Sequence, residues 1–152
     1  MIQRIQSIYL LLAGIFFAIT VFTPLVQFDK GDKWITLMGA GYDTVMLPEF
    51  AGVVPYGLWI FTLLSVLLPF IAIFGYKHRK KQMRTASFAI VANLLWYGAL
   101  AAYTLAMQER MGATLGFEVT ALFPLLAIVA LIMGRRAIQR DEDLVRAADR
   151  IR

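Results

Sequence analysis

The chain has 152 residues, of which 60% are hydrophobic and only 16% are charged, against about a quarter in a soluble domain. Four uncharged stretches of 24, 27, 24 and 16 residues run through it. A bilayer core is crossed by about 20 apolar residues in a helix. The composition therefore excludes disordered, collagenous, disulfide-rich and ordinary soluble proteins and predicts an integral membrane protein with four spans.

Four membrane helices are predicted in chain order, over residues 2–26, 55–77, 83–108 and 115–134. The first is expected to be retained, because its apolar run is longer than the 7–15-residue core of a secretion signal. Pro55 suits the first turn of the second helix, where a missing amide hydrogen costs little. The third helix is rich in Ala and Gly, as in the centre of a bundle where backbones approach closely.

The connection between the first two helices, residues 27–52, contains two candidate strands. Residues 33–38 and 42–47 flank the sequence Gly39-Ala40-Gly41, which predicts a small β-hairpin. The alternative is an interfacial loop, since Trp and Tyr also populate membrane borders.

The fourth helix is short, because its uncharged part has 16 residues and reaches only about 24 Å. We expect residues 115–118 to complete the crossing, which puts Glu118 near the outer headgroups. Pro124 would then lie well inside the helix and bend it.

The chain end, residues 135–152, contains good helix formers and no Pro or Gly, which predicts a tail helix of up to about 27 Å. Its apolar side chains share an arc about 140° wide, as in an amphipathic helix. We expect this face to dock a partner protein through Ile138, Asp141, Leu144, Val145, Ala148 and Ile151. The alternative is that the arc packs on the protein's own connection, with Asp141 paired to Arg79 or Lys80.

The charges divide unevenly between the two sides of the predicted membrane. The side with both chain ends and the second connection carries twelve Lys and Arg residues against four Asp and Glu, a net charge of +8, and the other side carries −3. A basic excess in short loops marks the cytoplasmic side, so both termini are expected in the cytoplasm.

The second connection holds most of the basic cluster and one histidine, His78, which we interpret as a solvated turn residue. Basic residues near a membrane surface attract anionic headgroups by about 1 kcal/mol each. We therefore expect an anionic-lipid contact at Lys77, Arg79, Lys80, Lys81 and Arg84. Nucleic acid is not expected, because stacking aromatic residues are not interleaved with these basic residues.

Polar side chains in the third helix form a thin line of Asn93, Tyr97 and Thr104. We interpret this line as interhelical hydrogen bonds, which stabilise membrane bundles by about 0.6–2 kcal/mol each. The alternative is a small transporter that uses this line together with Glu118. The sequence has no cysteine and a single histidine, and it predicts no catalytic site, metal or cofactor.

The two chain ends carry a family resemblance. The opening Met-Ile-Gln-Arg-Ile-Gln and the ending Arg-Asp-Glu-x-Leu-Val-Arg-x-x-Asp-Arg-x-Arg at residues 140–152 resemble a family of uncharacterised small four-helix inner-membrane proteins of the Bacteroidota. The resemblance implies a bacterial inner-membrane location and transfers no catalytic residue. Taken together, we expect one integral membrane domain over residues 1–152, an all-α four-helix transmembrane bundle. Its expected function is that of a non-enzymatic accessory or scaffold subunit.

Overall fold

The computed structural model describes residues 2–43 and 55–150. Within this part of the chain, four helices are long and apolar enough to cross a membrane: α1 (Ile2–Phe22), α2 (Tyr56–Phe74), α3 (Arg79–Met111) and α4 (Phe123–Arg150). Many of their large apolar side chains are exposed on the outer surface of the bundle. This distribution is consistent with a multi-pass membrane protein, because lipid can cover an apolar surface that water cannot.

The four helices form one bundle in which α1 contacts α2 and α4, and α3 contacts the same two helices from the other side. Buried positions recur every three or four residues, so each helix turns one stripe inward. In α2 that stripe is Leu58, Thr62, Ser65, Pro69 and Ala72. Small residues permit the close packing: a Cβ on Gly14 would lie 2.8 Å from the Phe70 ring, and one on Gly134 would lie 3.3 Å from the Cβ of Tyr9.

One end of the bundle carries an antiparallel four-stranded sheet in the order β3-β2-β1-β4. Its strands are β1 (Pro24–Lys30), β2 (Lys33–Met38), β3 (Gly41–Asp43) and β4 (Thr114–Phe117). Phe28 in the centre of β1 faces Ile35 on one side and Leu115 on the other. The sheet therefore joins the α1–α2 connection to the α3–α4 connection. We call this the sheet end, and the opposite end, with the α2–α3 connection, the turn end.

The predicted hairpin is confirmed for the pairing of β2 with β3, and residues 44–47 lie outside the described residues. The prediction that the first helix reaches residue 26 is wrong, because the chain leaves the helix after Phe22 and enters β1. The sequence Lys30-Gly31-Asp32-Lys33 makes a two-residue turn into β2, in which Gly31 has a φ of +63°. A Gly-Asp pair between two strand patterns is a hairpin signal that sequence reasoning missed here.

The predicted start of the fourth helix is also wrong. Residues 114–117 pair with β1, and a short 3-10 helix, Val119–Leu122, follows before α4 begins at Phe123. Pro124 therefore lies in the first turn of α4, where its missing amide hydrogen leaves no helical bond unmade.

The second connection is shorter than predicted. A 3-10 turn, Gly75–Lys77, joins α2 to α3, which runs from Arg79 until Gly112 ends it in the left-handed conformation. Helix α4 is continuous from Phe123 to Arg150, so the predicted tail helix forms over its described residues.

Candidate functional site

The inner stripe of α4 continues past the apolar stretch into the tail. Leu131, Gly134, Ile138 and Asp141 are buried at spacings of three and four residues, and Ile138 is fully buried. The Nε2 of Gln6 in α1 donates to the carbonyl of Ala137 at 3.2 Å. The expectation that Ile138 docks a partner is therefore corrected: this side chain is covered by the protein's own core.

Asp141 is held by the start of α3. The Nη2 of Arg79 lies 3.3 Å from its Oδ2, and the Nη1 donates to its backbone carbonyl at 3.2 Å. Asp141 is only 9% exposed, and its Oδ2 accepts no well-aligned hydrogen bond from a described residue. Of the two interpretations of this carboxylate, pairing with Arg79 is the one found, so Asp141 is not free for a partner.

Beyond this ion pair the tail leaves the bundle. Residues 143–148 are all exposed, with Leu144 57% and Val145 41% exposed, and Ala148 is exposed as well. Ile151 lies outside the described residues. Of the expected docking face, Leu144, Val145 and Ala148 thus remain on an open surface.

An open groove of about 720 Å³ separates this tail from the α2–α3 connection. Its walls are basic on the α3 side and mixed on the α4 side, with the lining Tyr76, His78, Arg79, Lys80, Lys81, Glu142 and Val145. The carboxylate of Glu142 is engaged by Arg146, whose Nε lies 3.2 Å away. Three of the five predicted lipid-contact residues line this groove, while Arg84 is exposed outside it and the side chain of Lys77 is outside the described part.

A second groove of about 630 Å³ opens between α1 and the end of α2. It is lined mostly by apolar surface, from Gln6, Ser7, Ile8, Ile73, Phe74, Tyr76 and Gln82. Tyr76 belongs to both linings, so the basic groove and this apolar groove meet at its ring. Sequence reasoning did not find the apolar groove, because it depends on how the helix ends separate in space.

The predicted polar line of α3 does not form one path. The amide of Asn93 donates to the carbonyl of Ala89 in its own helix, and its fully buried Oδ1 has no partner among the described residues. Tyr97 donates to the carbonyl of Ala121 at 2.9 Å, so it alone makes the expected link to another element. The buried hydroxyl of Thr104 also has no described partner. The prediction that Asn93 forms a hydrogen bond to another helix is therefore wrong for the described residues.

Other hydrogen bonds that cross between elements were missed in the sequence. The indole of Trp96 donates to the Thr62 hydroxyl at 2.8 Å, and this hydroxyl donates to the carbonyl of Gly39 at 3.2 Å. The Trp59 indole donates to the carbonyl of Ala40 at 2.7 Å. Tyr103 accepts the amide of Gly57. The available signal was the aromatic residue type, since a buried Trp or Tyr usually finds a hydrogen-bond partner.

Tyr42 belongs to the same region, where its hydroxyl donates to the backbone carbonyl of Tyr103 at 3.4 Å. Burial raises the pKa of Tyr42 to about 12, with a smaller electrostatic contribution from the ionisable hydroxyl of Tyr103, while the charge of Arg110 acts in the opposite direction. The phenol therefore stays protonated, and keeps its donor, well above neutral pH.

Glu118 lies at the sheet end, where its amide donates to the carbonyl of Leu25 at 3.0 Å. The Thr120 hydroxyl beside it donates to the carbonyl of Pro24. The carbonyl of Glu118 accepts the amide of Ala121 at 3.0 Å, and the carbonyl of Ala121 accepts the hydroxyl of Tyr97, so Glu118 lies near the Tyr97 end of the predicted polar line. Over residues 2–43 and 55–150, no three His, Asp or Glu side chains come together as metal ligands would.

Comparison with known proteins identifies a family for the chain. No curated protein matches the chain. The model of a family described as "Domain of unknown function (DUF4293)" matches residues 2–151. Because this match extends over nearly the whole chain, the protein belongs to that family.

Proposed function

We propose that the protein is a non-enzymatic scaffold subunit of a bacterial inner-membrane complex, which docks a partner protein through the projecting end of α4. The observation that carries this proposal is the exposed pair Leu144 and Val145, on a helix that continues beyond the bundle. Burial of a Val or Leu side chain is worth roughly 1.5–3 kcal/mol, so an exposed pair outside the lipid favours association. The bacterial origin is supported by the chain-end resemblance, and the cytoplasmic orientation of the turn end by its basic excess.

The unbroken course of α4 favours a protein partner over the membrane surface. A helix that lies in the headgroup plane needs a break where it leaves the membrane-spanning segment. Helix α4 is continuous through its Gly134-Arg135-Arg136 stretch, so its end is directed away from the bilayer. The nine residues after Asp141 extend about 13 Å along the helix axis.

The internal anchoring of Ile138 and Asp141 narrows the docking surface to residues 142–148. This anchoring also favours docking, because a helix that is fixed at its base presents its exposed end to a partner in one orientation. A preorganised helix loses less conformational entropy when it binds.

The test is site-specific photocrosslinking in cells. A photoreactive amino acid in place of Leu144 is expected to give one discrete adduct of reproducible mass, and the same group in place of Gln139 gives none. Gln139 is the matched control because it is exposed on the same helix but lies before the projecting end.

A stop codon after Glu142 sharpens the test, because it removes Leu144, Val145 and the rest of the exposed helix end and keeps Ile138 and Asp141. The truncated protein should insert, retain its thermal unfolding temperature and lose the partner in a mild-detergent purification. Equal adducts from both positions, or a partner retained by the truncated protein, would contradict the proposal. Solute flux into liposomes by the purified protein alone would instead support a transporter.

A further inference from the structure

The two grooves at the turn end have opposite chemistry and share a wall. The basic groove is lined by Lys80 and Lys81 on the α3 side, and the apolar groove by Ile8 and Ile73 between α1 and α2. Tyr76 lies where they meet and is about half exposed. A ring with an apolar body and a polar hydroxyl is typical of the level at which lipid headgroups begin.

The basic groove has free positive charge. Arg79 is engaged by Asp141, whereas Lys80 and Lys81 are exposed and form no ion pair with a described residue. They belong to the first turn of α3, whose cap residue His78 makes no side-chain capping hydrogen bond. First-turn amides have no acceptor within the helix and, with the helix dipole, favour an anion. This charge lies next to an apolar groove rather than next to open solvent alone.

The apolar groove has the dimensions and lining of a ligand site. Its volume of about 630 Å³ lies within the roughly 300–1,000 Å³ usual for small-molecule sites. Phe74 extends the apolar wall outward and is 81% exposed. Gln82 is almost fully buried in the lining and offers an amide next to the apolar groups, whereas the Nε2 of Gln6 is bonded to the carbonyl of Ala137. An ester-linked acyl chain has this combination of chemistry.

We propose that the two grooves together bind one molecule of an anionic glycerophospholipid. Its phosphate lies at Lys80, Lys81 and the first turn of α3, and an acyl chain lies along Ile8 and Ile73. Tyr76 marks the boundary between headgroup and chain. The site does not depend on the docking proposal, because its lining is complete without any partner protein.

The first measurement uses the full-length protein in mild detergent with native mass spectrometry. Phosphatidylglycerol, titrated in, should be retained as one molecule per chain at concentrations where phosphatidylcholine is not retained. Equal retention of the two lipids would overturn the proposal, because the basic groove would then contribute nothing. Glycerol 3-phosphate is the soluble probe, and its competition at the concentration of the lipid would overturn the role of the apolar groove.

Matched pairs of variants separate a built site from diffuse surface charge. Lys80→Gln with Lys81→Gln should weaken phosphatidylglycerol binding about thirtyfold, since each basic residue contributes on the order of 1 kcal/mol and about 1.4 kcal/mol corresponds to a factor of ten. Arg135→Gln with Arg136→Gln removes the same charge from exposed positions of α4 outside both linings, and should change binding less than twofold. An equal loss in the two pairs would contradict a discrete site.

The apolar wall is tested in the same way. Ile8→Ala with Ile73→Ala should weaken binding of phosphatidylglycerol with long chains and leave a short-chain analogue unchanged. The control, Leu67→Ala with Leu95→Ala, shortens two exposed apolar side chains outside both grooves and should alter neither lipid. An effect on both chain lengths, or the same effect in the control, would contradict an acyl-chain groove. Lys80→Arg with Lys81→Arg keeps the charge, so this pair should bind like the original protein.

Discussion

The two ends of the bundle are built on different principles. At the sheet end, backbone and side-chain hydrogen bonds tie together segments that are far apart in the chain, among them Gly39 to Thr20 and Trp59 to Ala40. At the turn end, long-range polar contacts include the Arg79–Asp141 pair and the Gln6–Ala137 bond, with two open grooves beside them. The sheet end closes the bundle, and the turn end leaves surface for ligands.

This difference indicates where substitutions should lower stability and where they should affect the proposed binding. A buried polar network that is fully satisfied specifies one arrangement, and each member depends on the others. An exposed helix end with a few polar contacts contributes less to folding and tolerates change. We therefore expect substitutions at the sheet end to lower thermal stability, and substitutions at the turn end to change binding first.

The largest effect is expected at Gly39, in the turn between β2 and β3. A Cβ on this residue would lie 2.5 Å from the carbonyl oxygen of Thr20 and 3.1 Å from the Cα of Val21. Both neighbours are backbone, so neither can rotate away, and Gly39→Ala should destabilise the protein by about 3 kcal/mol. Thermal unfolding in detergent measures this, with a fall in the transition temperature.

Gly98→Ala is the control for that substitution. Gly98 lies inside α3, and a Cβ there has no atom within 4 Å, so the added methyl should be neutral or slightly stabilising. If the two substitutions lower the transition temperature equally, the loss at Gly39 does not come from its contact with the backbone of Thr20 and Val21.

The next effect is expected at Thr62, which accepts from Trp96 and donates to Gly39. Thr62→Val keeps the shape and leaves a buried indole N–H without a partner, so we expect a loss of about 1–2 kcal/mol. Ser65→Ala, one turn along the same stripe, removes a buried hydroxyl that has no described partner and should cost far less. If Ser65→Ala lowered the free energy of unfolding more than Thr62→Val, the Ser65 hydroxyl would have to form a hydrogen bond that is absent from the described residues.

The helices could be predicted from sequence because uncharged length is a local property. Four apolar stretches bounded by charges predict the four helices of membrane-spanning length. The tail helix could also be predicted, since good helix formers continue without Pro or Gly. Where helices end is less local. Helix α1 stops after Phe22 because β1 pairs with β2 and β4, and Thr114 of β4 pairs with Asp29, which lies 85 residues earlier in the chain.

The candidate site shows the same limit. The basic residues of the turn and the apolar face of the tail were visible as patterns. In the structure Ile138 and Asp141 are buried, whereas Leu144 and Val145 are exposed. The difference depends on where the neighbouring helices end, and the periodicity of the tail sequence carries no information about that. Asn93 shows a related limit. A polar residue in a membrane helix predicts a hydrogen bond but not its partner, and here the Asn93 amide donates to the carbonyl of Ala89 in the same helix.

The smallest effect is expected at the ion pair of the turn end. Side chains of Arg79 and Asp141 are 25% and 12% exposed, so solvent screens their attraction less than at the surface but does not exclude it. In a double-mutant cycle of Arg79→Gln and Asp141→Asn, we expect a coupling of about 1 kcal/mol. The exposed pair Glu142 and Arg146, four residues apart on α4, should couple by about 0.5 kcal/mol or less. Both couplings should shrink with added salt, the second one more. Equal coupling energies would mean that solvent reaches the base of the tail as freely as its end. If Asp141→Asn lowered the free energy of unfolding more than Gly39→Ala, the turn end and not the sheet end would contribute more to stability.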